Sequence, residues 1–174
     1  MIKENFVNYL EDSIKNHWDM PSLSDYKGDT FTFGQTAEGI LKLHAHFEAC
    51  GIRRGDKIAL IGKNSINWSH IYLATVSYGA VVVPLLADFK PKDIHHLVNH
   101  SEALLLFSAD TIYKKIDNSE MPNLHAIFSL SDFSVLNDRK GICQKIQRKG
   151  DRLLSKKQKK LLSAEKFELP AVKN

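Results

Sequence analysis

Residues 57–86 read Lys57-Ile-Ala-Leu-Ile61, Gly62-Lys-Asn-Ser65, Ile66-Asn-Trp-Ser-His-Ile-Tyr-Leu-Ala-Thr-Val-Ser-Tyr78 and Gly79-Ala-Val-Val-Val-Pro-Leu-Leu86. A β-branched run, a polar turn, a helix-length segment, a glycine and a second β-branched run follow one another without interruption. The order predicts strand, helix, strand, and such units join parallel strands by a right-handed crossover. Trp68, Ile71, Tyr72 and Val76 are the expected inner face of the helix, with Ser65 or Asn64 as its cap. Apolar side chains at consecutive positions 80–83 predict a second strand covered on both faces.

The same alternation extends in both directions. Upstream, Ile2, Phe6, Leu10 and Ile14 place one apolar stripe on a helix over 2–16. Leu23–Tyr26 and Thr30–Phe33 flank the turn Lys27-Gly28-Asp29 as two short strands, a small β element over 22–33. Thr32 and Gln35 have capping-box spacing. The helix they open turns Ala37, Ile40, Leu41, His44 and Phe47 inward and stops at a left-handed Gly51. Downstream, Pro91 opens a helix to about Asn99. Ala103–Phe107 is a strand, Asp110–Ile116 a short helix with Ser108 as candidate cap, and Leu124–Ser129 a further strand. The expected class is α/β, a mostly parallel sheet flanked by helices, with the βαβ units in residues 34–130.

Charge divides the chain at about residue 138. Residues 1–138 hold 12 basic and 17 acidic side chains, and residues 139–174 hold 12 and 3. The tail, 139–174, is expected to be a basic helical segment with a stripe of Ile142, Ile146, Leu153, Leu154, Leu161 and Leu162, ending in an extended connector from Phe167 to Val172. Its run Arg148, Lys149, Arg152, Lys156, Lys157, Lys159 and Lys160 is a candidate contact for anionic membrane or nucleic acid, although it lacks the interleaved aromatics of a single-strand binder. The longest apolar run, Ala80 to Ala87, is far short of the ~20 residues that span a bilayer. Cys50 and Cys143 give neither a disulfide framework nor a zinc spacing. With no secretory leader in the charged N-terminal helix, a cytoplasmic location is expected, peripheral at the membrane if the basic tail engages it.

Few residues offer chemistry. Gly62-Lys63 resembles the end of a Walker loop, but Lys57 stands where the loop's first glycine belongs. His96 and His100, four apart on one helix face, have two-ligand metal spacing, yet a zinc site needs a third ligand and neither has the neighbouring Glu of HExxH, so solvated helix residues are the expected reading. No serine or cysteine sits in a nucleophile elbow.

Thr32-Phe33-Gly34-Gln35, Gly51 with Arg54-Gly55-Asp56, Ile58-Ala59-Leu60, Asn64 with Trp68, Gly79-Ala80-Val81, Val83-Pro84 and His100-Ser101-Glu102 are together similar to the N-terminal region of the AMP-forming acyl-CoA synthetases, nearest in pattern to the long-chain fatty-acid–CoA ligases. The resemblance covers residues 2–130 and implies that the chain is most of the first α/β subdomain of an adenylate-forming enzyme. In that family a carboxylate attacks the α-phosphate of ATP, pyrophosphate leaves, and coenzyme A displaces AMP from the acyl-adenylate. The family's Ser/Thr/Gly-rich phosphate loop, Tyr-Gly-x-Thr-Glu segment, ribose-binding Asp, hinge and catalytic Lys have no counterpart here. The resemblance implies that the phosphate loop lies beyond Asn174.

The expectation is therefore an N-terminal fragment inactive alone, with no catalytic, metal or cofactor-binding residue of its own. Asn64 and Trp68 are the candidate cleft-lining residues. ATP, Mg2+ and coenzyme A are implied for the complete enzyme. The implied partners are the rest of the ligase chain, fatty acid and CoA, with self-association through uncovered apolar surface.

Overall fold

A computed structural model describes residues 5–139, 141 and 159–169 of the chain. Five strands form one sheet. These are β3 (Lys57–Ile61), β4 (Val81–Leu85), β5 (Leu105–Ser108), β6 (Ala126–Ser129) and β7 (Val135–Asp138), in the order β4-β3-β5-β6-β7. The first four are parallel, as the strand–helix–strand order requires, and β7 is antiparallel to β6. The sequence reading missed β7 because its residues, Val-Leu-Asn-Asp, carry too little apolar signal to stand out. A separate hairpin pairs β1 (Pro21–Ser24) with β2 (Thr30–Thr32).

Two apolar layers sandwich the sheet. Alternate residues Ile58, Leu60, Leu105, Phe107, Ala126 and Phe128 point toward α1 (Phe6–Asn16), α2 (Phe33–Ala49) and α3 (Ile66–Tyr78). Ala59, Ile61, Leu106 and Ile127 point to the other side, where Ile94 and Val98 of α4 (Pro91–Ser101) pack. The expected inner residues of α2 are all buried, and Thr32 and Gln35 form the reciprocal box, at 3.2 and 2.8 Å. Gly51, at φ +73°, ends α2, with Ile52 N–H on Phe47 O and Gly51 N–H on Glu48 O.

Four expectations fail locally. The buried face of α1 is Val7, Glu11 and Ile14, while Phe6 is 56% exposed. Glu11 is drawn inward because its carboxylate accepts the Leu169 N–H at 2.8 Å and pairs with Lys15. The inner face of α3 is Ile66, His70, Ile71, Ala74, Thr75 and Ser77, with Trp68 and Tyr72 only half-buried. There Ala74 and Ser77 meet His44 of α2, and the His70 ring lies against Gly39. Strand β4 is an edge strand with Val81 48% exposed, so its consecutive apolar residues are not covered on both faces. Pro84 fits that position, because an edge strand leaves one row of N–H groups unpaired. Ser108 does not cap α5 (Asp110–Tyr113), whose N-cap is Ala109 without a side-chain bond.

Of the tail, only residues 141 and 159–169 are described beyond Arg139. Phe167 and Leu169 are fully buried against the α1–α2 layer, and Phe167 meets Trp18 edge-on at 6.3 Å. Ile142, Ile146, Leu153 and Leu154 of the expected stripe lie outside the described residues. So does the chain from Pro170 to Asn174, which holds the end of the expected connector and the point past which the phosphate loop is expected. Among the described residues no helix is long and apolar enough to cross a membrane.

Candidate functional site

In a parallel sheet the strand-to-helix turns all emerge on one side, and a crevice forms where successive crossovers leave in opposite directions. Here that divergence falls between β3, whose crossover leads to β4 at the edge, and β5, whose crossover leads to β6 on the other side. A cleft of about 540 Å3 opens there. The turn after β3 contributes Lys63 and Ser65, the first turn of α3 Asn67, the turn after β4 Asp88, and α5 and the turn that follows it Asp110 and Lys115.

Its floor is held by a polar network. The Asp110 carboxylate accepts the Ser129 hydroxyl at 2.6 Å and the Ser131 hydroxyl at 3.4 Å. The two serine oxygens lie 2.7 Å apart, and the Asn67 amide donates to the carbonyls of Leu130 and Ser131. Next along the turn, hydrogen bonds from Ser134 hold the Asp132 carboxyl below its ordinary range. Gly62 lets the β3 turn approach this loop, since a Cβ there would lie 2.3 Å from Leu130 Cδ2. The cleft thus offers two cations, two carboxylates and several hydroxyls around a pre-formed wall, without a nucleophile–base pair.

The turn 62–65 is not a ready anion site. Ser65 Oγ accepts the Trp68 N–H at 3.1 Å, and Asp25 from the hairpin accepts the Ile66 N–H at 2.8 Å. Two of the donors that a phosphate would use at the α3 N-terminus are therefore occupied by the chain itself. Asn64 lines a smaller cleft of about 160 Å3 with Asp25, Tyr26 and Ser69. Trp68 lines neither cleft and stacks on Tyr72 at 5.5 Å. Lys159 and Lys160 are exposed, while the other five members of the basic run lie outside the described residues. Among the described residues no three His, Cys, Asp or Glu side chains group to hold a metal ion.

Sequence reasoning missed Asn67, Asp110, Ser129 and Ser131. Each sits at the carboxyl end of a parallel strand, in the turn that follows or in the first turn of the next helix, the side of the sheet that binds ligands in such folds. The signal was present, but it selects residues only once strand order fixes where the crossovers diverge.

A family model described as "AMP-binding enzyme" matches residues 10–165. A probable CoA ligase of Humulus lupulus, CCL5, is 28% identical over 110 residues, covering 63% of this chain and 20% of the relative. A solved anthranilate CoA ligase, AuaEII, superposes with a TM-score of 0.71 at 19% identity, over 83% of this chain and 27% of its own. A long-chain-fatty-acid–CoA ligase from Archaeoglobus fulgidus does so with 0.64 at 18% identity, over 73% and 27%. The chain thus spans about a fifth to a quarter of the length of these proteins.

Proposed function

The chain belongs to the AMP-binding enzyme family, and from that premise we propose that it serves as the scaffold of the N-terminal subdomain of an ATP-dependent ligase that activates a long-chain fatty acid and transfers it to coenzyme A. The observation that supports a scaffold role is the occupied α3 N-terminus. Asp25 and Ser65 take the donors that would otherwise meet a phosphate, and the cleft beside them has no nucleophile–base pair. The fatty-acid assignment rests on the order of signatures from Thr32 to Glu102. ATP, Mg2+ and coenzyme A belong to the proposed reaction. The reading carries a cytoplasmic location with it.

The test is acid-dependent ATP–pyrophosphate exchange, measured on the 174-residue chain alone and fused, after Asn174, to the part of a CoA ligase that follows the matched region. Hexadecanoate, benzoate and an amino acid serve as substrates. The chain alone is expected to give no exchange above a heat-treated control, and the fusion to respond to hexadecanoate. Exchange by the chain alone overturns the scaffold role. A fusion that responds only to benzoate overturns the fatty-acid assignment.

A further inference from the structure

Helix α4 carries three histidines, and they are not equivalent. His95 accepts the Asp117 N–H on Nε2 at 3.0 Å and so ties α4 to the short turn Asn118–Glu120. His96 and His100 are exposed, with ring centroids 5.9 Å apart and planes inclined by only 15°. Among the described residues neither ring makes a hydrogen bond.

We propose that His96 and His100 form a two-imidazole chelate on the outer face of α4 for a borderline divalent ion of the Zn2+ type. Residues four apart lie one turn above another, so both imidazoles reach the same point in space. With metal–nitrogen bonds of about 2.0–2.1 Å, two imidazoles in adjacent coordination positions have centroids roughly 5 Å apart. The rings stand 5.9 Å apart and nearly parallel, so their nitrogens do not yet converge, and chelation requires each exposed ring to turn about its own side-chain bonds. Asp93, three residues before His96 and exposed on the first turn, adds negative charge on that face. Neutral nitrogen ligands select Zn2+, Ni2+ or Cu2+ over Mg2+ and Ca2+. With two protein ligands this is a surface chelate, weaker than the three-ligand zinc site that the described residues do not supply, and water completes the coordination sphere. The bound ion would link two turns of α4, which Ile94 and Val98 anchor to the sheet. Because protons and the metal compete for the same nitrogens, acid releases it.

The test uses the full 174-residue chain, stripped with a chelator and titrated with Zn2+ by calorimetry. One ion per chain is expected. His96→Ala should weaken binding on the order of 10–100-fold, since losing a ligand costs at least as much as losing a partner that orients one. His96→Ala with His100→Ala should abolish binding and the accompanying rise in Tm. His17→Ala, at another exposed histidine, should change neither. Circular dichroism checks that the variants retain their helix content. A wild-type chain that binds no Zn2+, or a double variant that binds it with unchanged affinity, overturns the proposal.

Discussion

Two buried histidines set the acid response at the scale of single residues. His44 lies between α2 and α3, with Nε2 2.9 Å from Ala74 O and 3.0 Å from Ser77 Oγ, and burial pulls its pKa down to about 4. His70 is 2% exposed against Phe31 and Gly39, its Nε2 has no partner, and burial lowers its pKa to about 4 as well. A pKa below its unfolded value means that the folded state binds fewer protons. Stability is therefore full above about pH 6.5 and falls as pH drops toward 4, by up to roughly 3 kcal/mol for each histidine. His70→Leu removes the titration and an unsatisfied nitrogen together. It should leave stability at pH 7 equal or higher and flatten the decline to pH 5, as measured by urea unfolding at both pH values. A steeper decline would contradict this account. Gly62→Ala tests the floor of the cleft. Leu130 is buried and must move to admit the new methyl, so a loss of about 1–3 kcal/mol is expected in the same assay.

At the scale of elements, caps and one buried carboxylate hold the pieces in place. Thr32→Ala removes the hydroxyl that accepts the Gln35 N–H, one half of the α2 box, and should cost about 1 kcal/mol, read as a shift in the urea midpoint at unchanged slope. Glu11 does more than pair with Lys15. Its carboxylate is the acceptor for the buried Leu169 N–H, so Glu11→Ala should cost about 1–3 kcal/mol, while Lys15→Ala should cost under about 0.5. Equal losses from the two variants would show that the surface pair, and not the tie to residues 159–169, is what stabilises α1. The capping box and the Gly51 stop were legible in sequence because a cap is a local event, decided within about five residues. The facing of α1 was not. Its sequence offers two overlapping stripes, and a hydrogen bond to a residue 158 positions away selects the one containing Glu11.

At the scale of the whole molecule, the surface is uneven. Phe6, Tyr9, Met20, Tyr26, Val81 and Leu86 are large apolar side chains left exposed, and Val81 lies on the unpaired edge of the sheet. Exposed strand edges and apolar patches favour association. Sedimentation velocity should show a concentration-dependent mean sedimentation coefficient that Val81→Lys with Leu86→Lys reduces. A single concentration-independent monomer would count against it. Sequence by itself determined the α/β class, the four parallel strands, the capped helices and the family. The class, strands and caps follow from local propensity, from the period of apolar residues and from the order of turns, whereas the family rests on a resemblance of motifs between Thr32 and Glu102. Only the tertiary structure decided that β4 lies at the edge, that β7 closes the sheet antiparallel, and that Asp110, Ser129 and Asn67 share one cleft wall. Strand order arises from the balance of packing across the entire sheet. Residues 19 to 63 positions apart become neighbours only when that balance is struck.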